Sequence, residues 1–138
     1  MHKEIIIPIY DCLVSIQVTN DMNEAVRHIT ANYGVTEDED LTKVGGFCNS
    51  DYSPIMDRQV YYLVVGYTLD KKEYWATIAH ETMHLIQEVL ESRDVYYLRK
   101  QPNEPYAYMY GYFISENFEF FEGAYSKYKR LKIKKWLK

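Results

Sequence analysis

Alternating and continuous hydrophobic runs predict the strands of this chain. Residues 4–19 are rich in isoleucine and valine, which predicts extended structure with an edge or a bend at Pro8. Two further strands are predicted over residues 44–49 and 59–68, separated by a turn-rich segment at residues 50–54. Together these segments predict a sheet of three to four strands.

Apolar residues at helical spacing predict three helices. The first begins within residues 20–24, where a capping side chain is followed three residues later by an acid, and it ends at Gly34. The second carries its apolar stripe over residues 75–90. The third begins at Asn103, a good N-cap residue, and ends at Gly123, although part of it also alternates with the period of a strand.

The composition fits one folded domain and is unusual only in tyrosine. A chain of 138 residues with 47% hydrophobic and 26% charged residues is neither disordered nor collagen-like. It contains 15 tyrosines but only five phenylalanines. Cys12 and Cys48 lack metal-type spacing, so we expect two buried thiols. The apolar run at residues 5–9 is too short for a signal sequence or a membrane span, so we expect a cytoplasmic protein with no membrane partner.

Charge is distributed unevenly along the chain. The net charge is −4, yet residues 127–138 hold seven of the sixteen basic residues and none of the twenty acidic ones. Residues 36–42 read as an acidic loop. We expect residues 124–138 to form a basic C-terminal helix whose apolar side packs on an acidic body. Contact of this helix with an anionic surface or nucleic acid is the alternative, and nucleic acid is not the partner we expect.

The strongest chemical signal is His80-Glu81-Thr82-Met83-His84, an HExxH motif within the second helix. Residues four apart lie on one face of a helix, so the imidazoles of His80 and His84 can bind one Zn²⁺. Glu81 lies about 100° further round the helix, where it is predicted to act as general base toward a water molecule activated by the metal. Two solvated surface histidines are the alternative, which the apolar neighbours of the motif disfavour.

A catalytic zinc site requires a third protein ligand, and Glu104 is the candidate. It opens the next helix after a loop containing Pro102, so an antiparallel helix pair brings it back toward His80 and His84. Tyr108 lies one turn beyond Glu104 on the same side of that helix. We expect its phenol either to donate a hydrogen bond to the oxyanion of a tetrahedral intermediate or to pack as a buried aromatic.

These residues resemble the gluzincin metallopeptidases, in which a Glu on a following helix completes a His₂Glu zinc site. The pair Asn103-Glu104 resembles the start of the ligand helix in the thermolysin-like class. A closer resemblance is to small phage and prophage proteins in which HExxH is followed by Glu-x-x-Ala-Tyr-x-x-Gly-Tyr, here residues 104–112. The resemblance covers about residues 75–113 and implies a compact zincin fold, zinc and peptidase activity. Thr82 and Tyr108 depart from the usual pattern, since a large apolar residue and an Asp are common there.

The sequence therefore predicts one zincin-like α+β domain over residues 1–138. Its sheet has a backing helix, and the HExxH helix is followed by the helix that carries Glu104. We expect a zinc-dependent metallopeptidase whose peptide or protein substrate lies along an exposed sheet edge, for which the strand at residues 44–49 is the candidate because Gly45 and Gly46 permit close approach. A non-catalytic zinc-binding protein that acts through protein–protein contacts is the alternative, which the small size of the chain favours.

Overall fold

The computed structural model describes residues 1–8, 10–36 and 44–137 and has an α+β fold with a four-stranded mixed sheet and three helices. The strands are β1 (His2–Ile7), β2 (Cys12–Thr19), β3 (Gly46–Ser53) and β4 (Arg58–Gly66). The helices are α1 (Met22–Tyr33), α2 (Lys71–Glu91) and α3 (Glu104–Trp136). The predicted acidic loop at residues 36–42 lies outside the described residues except for its first residue. The α+β class and the number of strands are confirmed.

The sheet has the order β1-β2-β4-β3, with a parallel pair in the centre and an antiparallel pair at each edge. On one face, α1 packs through Ile29 and Tyr33 against Tyr62 of β4. On the other face, α2 and α3 pack against side chains such as Val14 and Leu63. Because β2 and β4 are covered on both faces, consecutive residues along each strand are buried, and in β2 these include the polar residues Ser15 and Gln17.

Helix α1 begins and ends where local side-chain chemistry predicts. The carboxylate of Asp21 accepts hydrogen bonds from the amides of Asn23 and Glu24, which satisfies two amides that have no partner within the helix. At the other end, Gly34 adopts a left-handed conformation with φ of 68°, and its amide donates to the carbonyl of Thr30. Both predicted ends of this helix are confirmed.

Strand β3 is longer than its sequence indicates. The segment 50–54 is predicted as a turn, but residues 50–53 continue the strand, and the turn starts at Pro54. Ser50 pairs with Tyr61 and Ser53 pairs with Arg58 in the antiparallel ladder with β4. Backbone pairing with a long neighbouring strand outweighs the weak strand propensity of Ser and Asp in this segment. The prediction that this strand forms a sheet edge is confirmed, since β3 pairs with β4 alone in the four-stranded sheet.

Helix α3 runs without interruption through Gly123, so the predicted break between two helices is wrong. Its 33 residues include Phe121, Ala124 and Tyr125, which are buried on both sides of the glycine. The hydroxyl of Tyr125 also donates to the carbonyl of Leu69, which ties the helix to the start of α2. This packing outweighs the cost of about 1 kcal/mol that a glycine imposes on a helix interior. Neither α3 nor the other two described helices combines the length and hydrophobicity needed to cross a membrane.

Asn103 stands at the N-terminus of α3 but does not cap it. Its backbone is left-handed, with φ of 51°, and its side chain makes no capping hydrogen bond. Its side-chain oxygen instead accepts a hydrogen bond from the amide of Leu98, and its side-chain nitrogen donates to the carbonyls of Leu98 and Gln101. These hydrogen bonds close the preceding loop. The predicted helix start is therefore correct, whereas the predicted capping role is not.

The basic C-terminal segment extends beyond the body of the domain. Residues 129–137 are all exposed, and Trp136 is 71% exposed. The expectation that the apolar side of this segment packs on an acidic body is therefore wrong beyond Tyr128, whose hydroxyl donates to the carbonyl of Val18. The reason is length, since a helix of 33 residues spans about 50 Å and the strands it crosses extend about 30 Å or less.

Candidate metal centre

The HExxH motif lies in the middle of α2, the helix that connects the central strand β4 with α3. Asp70 begins this helix by accepting hydrogen bonds from the amides of Lys72 and Glu73. One side of α2 is buried through residues that include Ile78 and Leu85. The motif straddles the boundary of that side, so its two histidines are exposed and its glutamate is buried.

The two histidines of the motif point toward one another. Their Nε2 atoms are 3.1 Å apart, and their rings are nearly perpendicular with centroids 4.8 Å apart. Both histidines are exposed, the imidazole of His80 by 67%, so the expectation that the apolar neighbours of the motif keep them from solvent is wrong. Imidazole nitrogens on consecutive turns of a helix nevertheless have the type and spacing of donors that could supply two of the four ligands of a tetrahedral metal site.

The separation of these nitrogens fits a shared zinc ion. Zn–N bonds of about 2.05 Å at a tetrahedral angle place two ligand nitrogens about 3.3 Å apart. The Nε2 atoms of His80 and His84 are 3.1 Å apart, slightly closer than that value. A small rotation of either ring would increase their separation to the distance that zinc requires. Nitrogen donors of this type are also the ones that zinc prefers. The donor chemistry and the spacing of the pair therefore both fit the metal that the motif implies.

Glu81 is held in the space between α2 and β3. Its side chain is only 9% exposed, and its Oε1 lies 3.9 Å from the Nε2 of His80. Burial raises the pKa of this carboxyl, and the two neighbouring imidazoles lower it by a smaller amount. A carboxylate with a raised pKa, fixed beside a pair of metal-type nitrogens, is suited to accept a proton.

Gly46 explains how α2 approaches the sheet edge so closely. A Cβ at this position would lie 2.8 Å from the carbonyl oxygen of Val64, 2.9 Å from the Cγ2 of Thr77 and 3.3 Å from the Cγ of Glu81. Only glycine therefore fits between the strand and the helix here. Gly45, by contrast, has open space around its Cβ position. The close approach predicted for this pair of glycines involves the motif helix at Gly46 and leaves Gly45 accessible.

Helix α3 lies antiparallel to α2, as predicted. The hydroxyl of Tyr110 donates to the carbonyl of Ala79, one residue before the motif. Further along, the ring of Phe118 stacks on Trp75 with centroids 5.5 Å apart. Later residues of α3 thus contact earlier residues of α2, which is the order expected of an antiparallel helix pair. The loop containing Pro102, which joins the two helices, allows this antiparallel arrangement.

Glu104 and Tyr108 lie together, in a pocket that neither histidine lines. The pocket is formed where α3 begins beside the connection between β1 and β2. Tyr108 is 75% exposed, so it is not the buried packing aromatic considered from the sequence. Within residues 1–8, 10–36 and 44–137, no three His, Cys, Asp or Glu side chains are grouped to hold a metal ion. The roles assigned to Glu104 and Tyr108 therefore stay predictions.

Tyr110 is a tyrosine of α3 that bonds α2 directly beside the motif, and sequence reasoning missed it. Its ring is partly buried against the core, and its hydroxyl bonds the carbonyl of Ala79. The signal was present, because Tyr110, Ile114 and Phe118 follow one another at four-residue spacing and form the side of α3 that faces α2. Residues 106–112 contain four alternating tyrosines, which lie on different sides of a helix. The sequence alone therefore did not indicate which of these sides faces α2.

Comparison with known proteins assigns no family to this arrangement. No protein-family model matches the chain, and no curated protein or solved structure matches it significantly. Support for a function therefore comes from the geometry of the described residues. That geometry brings His80, Glu81 and His84 together beside the edge strand β3.

Proposed function

We propose that this chain is a zinc-dependent metallopeptidase with a zincin-like, gluzincin-type fold. The observation that carries the proposal is the convergence of the Nε2 atoms of His80 and His84, 3.1 Å apart, beside the buried carboxylate of Glu81. Two nitrogen donors at zinc spacing and an adjacent general base are the parts that hydrolysis with an activated water requires. The resemblance to small phage and prophage proteins supports the same activity.

Each residue of the motif has a separate task in this proposal. When bound, zinc supplies a Lewis acid that lowers the pKa of water to about 7 and polarises a carbonyl group. His80 and His84 hold the metal through their Nε2 atoms. Glu81 accepts the proton of the attacking water at its carboxylate and delivers it to the leaving amine. Its position between α2 and β3 fixes the direction from which that water is deprotonated.

The substrate in this proposal is an extended peptide added to the free edge of β3. Among the described strands, β3 has β4 as its one neighbour, so one row of its backbone groups faces away from the sheet. Gly45 and Gly46 line a pocket of about 310 Å³ together with His80 and Glu81. Backbone hydrogen bonds to such an edge would place a scissile peptide bond beside the motif.

Glu104 as third ligand and Tyr108 as donor to the oxyanion form a separate part of the proposal. Both lie in another pocket, so a change of side-chain rotamer or a movement of the first turn of α3 is required to bring Glu104 to the histidines. Zinc content per chain, measured for Glu104→Ala against the wild type, tests this part. An unchanged content removes the assignment of Glu104 without affecting the rest.

The central experiment measures zinc content and peptide cleavage in the same variants. We expect about one zinc per wild-type chain, loss of zinc in His80→Ala, and normal zinc in His28→Ala, a histidine on α1 outside the motif. Glu81→Gln should retain zinc and lose cleavage of a defined peptide library by at least about 100-fold, because the amide cannot accept the proton. Cleavage is read by mass spectrometry of the library.

Two results would contradict the proposal. Zinc that remains in His80→Ala would remove the histidine pair as the metal site. Cleavage that survives in Glu81→Gln would remove Glu81 as the base. His80 is exposed whereas Glu81 is buried, so thermal unfolding monitored by circular dichroism is used to verify that each variant folds.

A non-catalytic zinc-binding protein that acts through protein–protein contacts is the second candidate. The exposure of His80 and the small volume of the adjacent pocket, about 310 Å³, favour it, because a peptidase usually encloses more of its substrate. It shares the zinc prediction and differs in the cleavage experiment. Wild-type protein that binds zinc at His80 and His84 but cleaves no member of the library supports this candidate.

A further inference from the structure

The pocket beside the start of α3 has a composition that the proposed function does not use. Its volume is about 610 Å³, within the range of small-molecule sites. Three tyrosines line it, Tyr10, Tyr108 and Tyr112, and the remaining wall is largely aliphatic. Glu104 is the one charged side chain among the described residues of the lining. An apolar, aromatic pocket with a single negative charge favours ligands that carry a positive charge on an apolar body.

The aromatic rings of this pocket are available to a ligand. Tyr108 and Tyr112 are 75% and 42% exposed, and their four-residue spacing places them on one side of α3. Among the ring contacts and hydrogen bonds of the described residues, neither side chain takes part in any. Elsewhere in the protein, tyrosine rings such as Tyr67 and Tyr125 contact one another, and the hydroxyls of Tyr74 and Tyr125 donate to backbone carbonyls. The two exposed tyrosines of the pocket thus present free π faces.

The carboxylate of Glu104 is also without a counter-charge. It forms no hydrogen bond or ion pair with the described residues, and none of the basic side chains among them lines the pocket. Glu104 lies one helical turn before Tyr108, so its charge is next to the nearer ring. Of the other acids on α3, Glu122 is paired with Lys71 at 2.8 Å, whereas Glu116 and Glu119 resemble Glu104 in having no side-chain partner among the described residues, but neither of them lines this pocket. A carboxylate left unpaired at an apolar pocket attracts a cation.

We propose that this pocket binds an organic ammonium ion whose apolar body fills the aliphatic part. Aromatic faces attract cations through their quadrupole, and alkylated ammonium groups, which are weakly hydrated, gain most from such a site. The carboxylate of Glu104 adds a favourable charge and excludes anionic ligands. A neutral apolar ligand would leave both the carboxylate and the ring quadrupoles unused. This proposal shares Glu104 with one part of the peptidase proposal, but it does not involve the histidine pair, because neither His80 nor His84 lines the pocket.

Calorimetric titration with choline and with 3,3-dimethylbutan-1-ol tests the proposal. The two molecules have nearly the same shape and differ in the positive charge. We expect choline to bind at least about tenfold more tightly, and benzyltrimethylammonium to bind more tightly still because its ring adds apolar contact. Trimethyllysine amide, titrated in parallel, distinguishes a free amine from a modified peptide side chain as the source of the ammonium group. Equal affinity for choline and the neutral alcohol overturns the proposal.

Matched variants separate recognition of the cation from general packing. We expect Tyr112→Leu to weaken choline binding about fivefold and Tyr112→Phe to leave it unchanged, because phenylalanine keeps the π face. Glu104→Gln should weaken choline binding and leave binding of the neutral alcohol unchanged. Tyr52→Leu, which replaces an exposed tyrosine on β3 outside the pocket, is the control and should have no effect. Choline binding that persists in Tyr112→Leu together with Glu104→Gln places the ligand elsewhere and overturns the assignment.

Zinc distinguishes the two roles considered for Glu104. If Glu104 serves the ammonium pocket, choline binds equally well to zinc-loaded and zinc-free protein. If loading with zinc abolishes choline binding, Glu104 belongs to the metal centre and the ammonium proposal is overturned. Tyr112→Leu is expected to leave zinc content unchanged, so a failure of the ammonium site and a failure of the metal site give different results.

Discussion

At the scale of single residues, the motif combines exposed nitrogen donors with a buried acid, and burial decides what each residue can do. The exposed imidazoles remain accessible to a metal from solvent, whereas the carboxyl of Glu81 has a raised pKa because α2 packs it against β3. Burial also decides the energetics of the neighbouring residue, Thr82. Thr82 is fully buried, and its Oγ1 is without a hydrogen-bond partner among the described residues. A buried hydroxyl in that state costs stability.

Replacement of this hydroxyl by a methyl group should stabilise the protein. We expect Thr82→Val to raise the free energy of unfolding by about 0.5–1.5 kcal/mol, because it removes an unsatisfied polar atom and preserves shape. Urea denaturation of the metal-free protein measures the change. Thr77→Val is the matched control on the same helix, since the hydroxyl of Thr77 donates to the carbonyl of Glu73 and its removal brings no such gain. A destabilised Thr82→Val would show that the hydroxyl has a partner in solution.

Tyr33 should make stability fall at alkaline pH. Burial raises the pKa of its phenol to about 12, and its hydroxyl donates to Glu4 at 2.7 Å. Since the unfolded chain loses this proton near pH 10 and the folded protein near pH 12, the stabilisation is complete below pH 10 and is lost as pH rises to 12. Tyr33→Phe should show a smaller loss of unfolding free energy between pH 9 and about 11.5. An identical slope in variant and wild type would contradict the assignment.

At the scale of the elements, contacts between helices and strands override local preferences. Helix α3 continues through Gly123 because Phe121 and Tyr125 are packed on either side of it. Strand β3 continues through a segment of turn-forming residues because β4 offers a pairing partner along its whole length. In both cases a local propensity of about 1 kcal/mol is smaller than the tertiary interactions that oppose it.

Two glycines in equally regular elements should respond in opposite ways to alanine. A Cβ at Gly123 would contact nothing within 4 Å, so Gly123→Ala should stabilise the protein by about 0.5–1 kcal/mol through better helix propensity. A Cβ at Gly46 would lie 2.8 Å from the carbonyl oxygen of Val64, so Gly46→Ala should destabilise it by about 1–3 kcal/mol. Urea denaturation of both variants tests the pair. Changes of the same sign would mean that α2 is not packed on β3 as described.

At the scale of the whole molecule, the charge is divided between an acidic body and an exposed basic helix end. Residues 129–137 of α3 are exposed, and seven basic residues lie within 127–138. The two are joined by a continuous helix that is anchored near Tyr125 and Tyr128 through hydrogen bonds to Leu69 and Val18. Stability should therefore depend on the anchoring tyrosines and not on the exposed end.

Truncation tests this division. A chain that ends at Lys129 should unfold within about 2 °C of the full chain, because the residues removed bury little apolar surface. A chain that ends at Ala124 should unfold at a clearly lower temperature, because it also loses the hydrogen bonds and ring contacts of Tyr125 and Tyr128. Thermal unfolding by circular dichroism measures both. A large loss on removal of residues 130–138 would show that the end of α3 packs on the body in solution.

The sequence by itself determined what depends on neighbours along the chain. The ends of α1, the extent of α2 and the placement of His80 and His84 on consecutive turns all follow from residues a few positions apart, because helix geometry fixes those distances. The tertiary structure alone decided which side of α3 faces the motif. It placed Tyr110 against Ala79 and turned Glu104 toward another pocket. The rotation and register of one helix against another depend on the packing of many distant side chains, which spacing along the sequence does not encode.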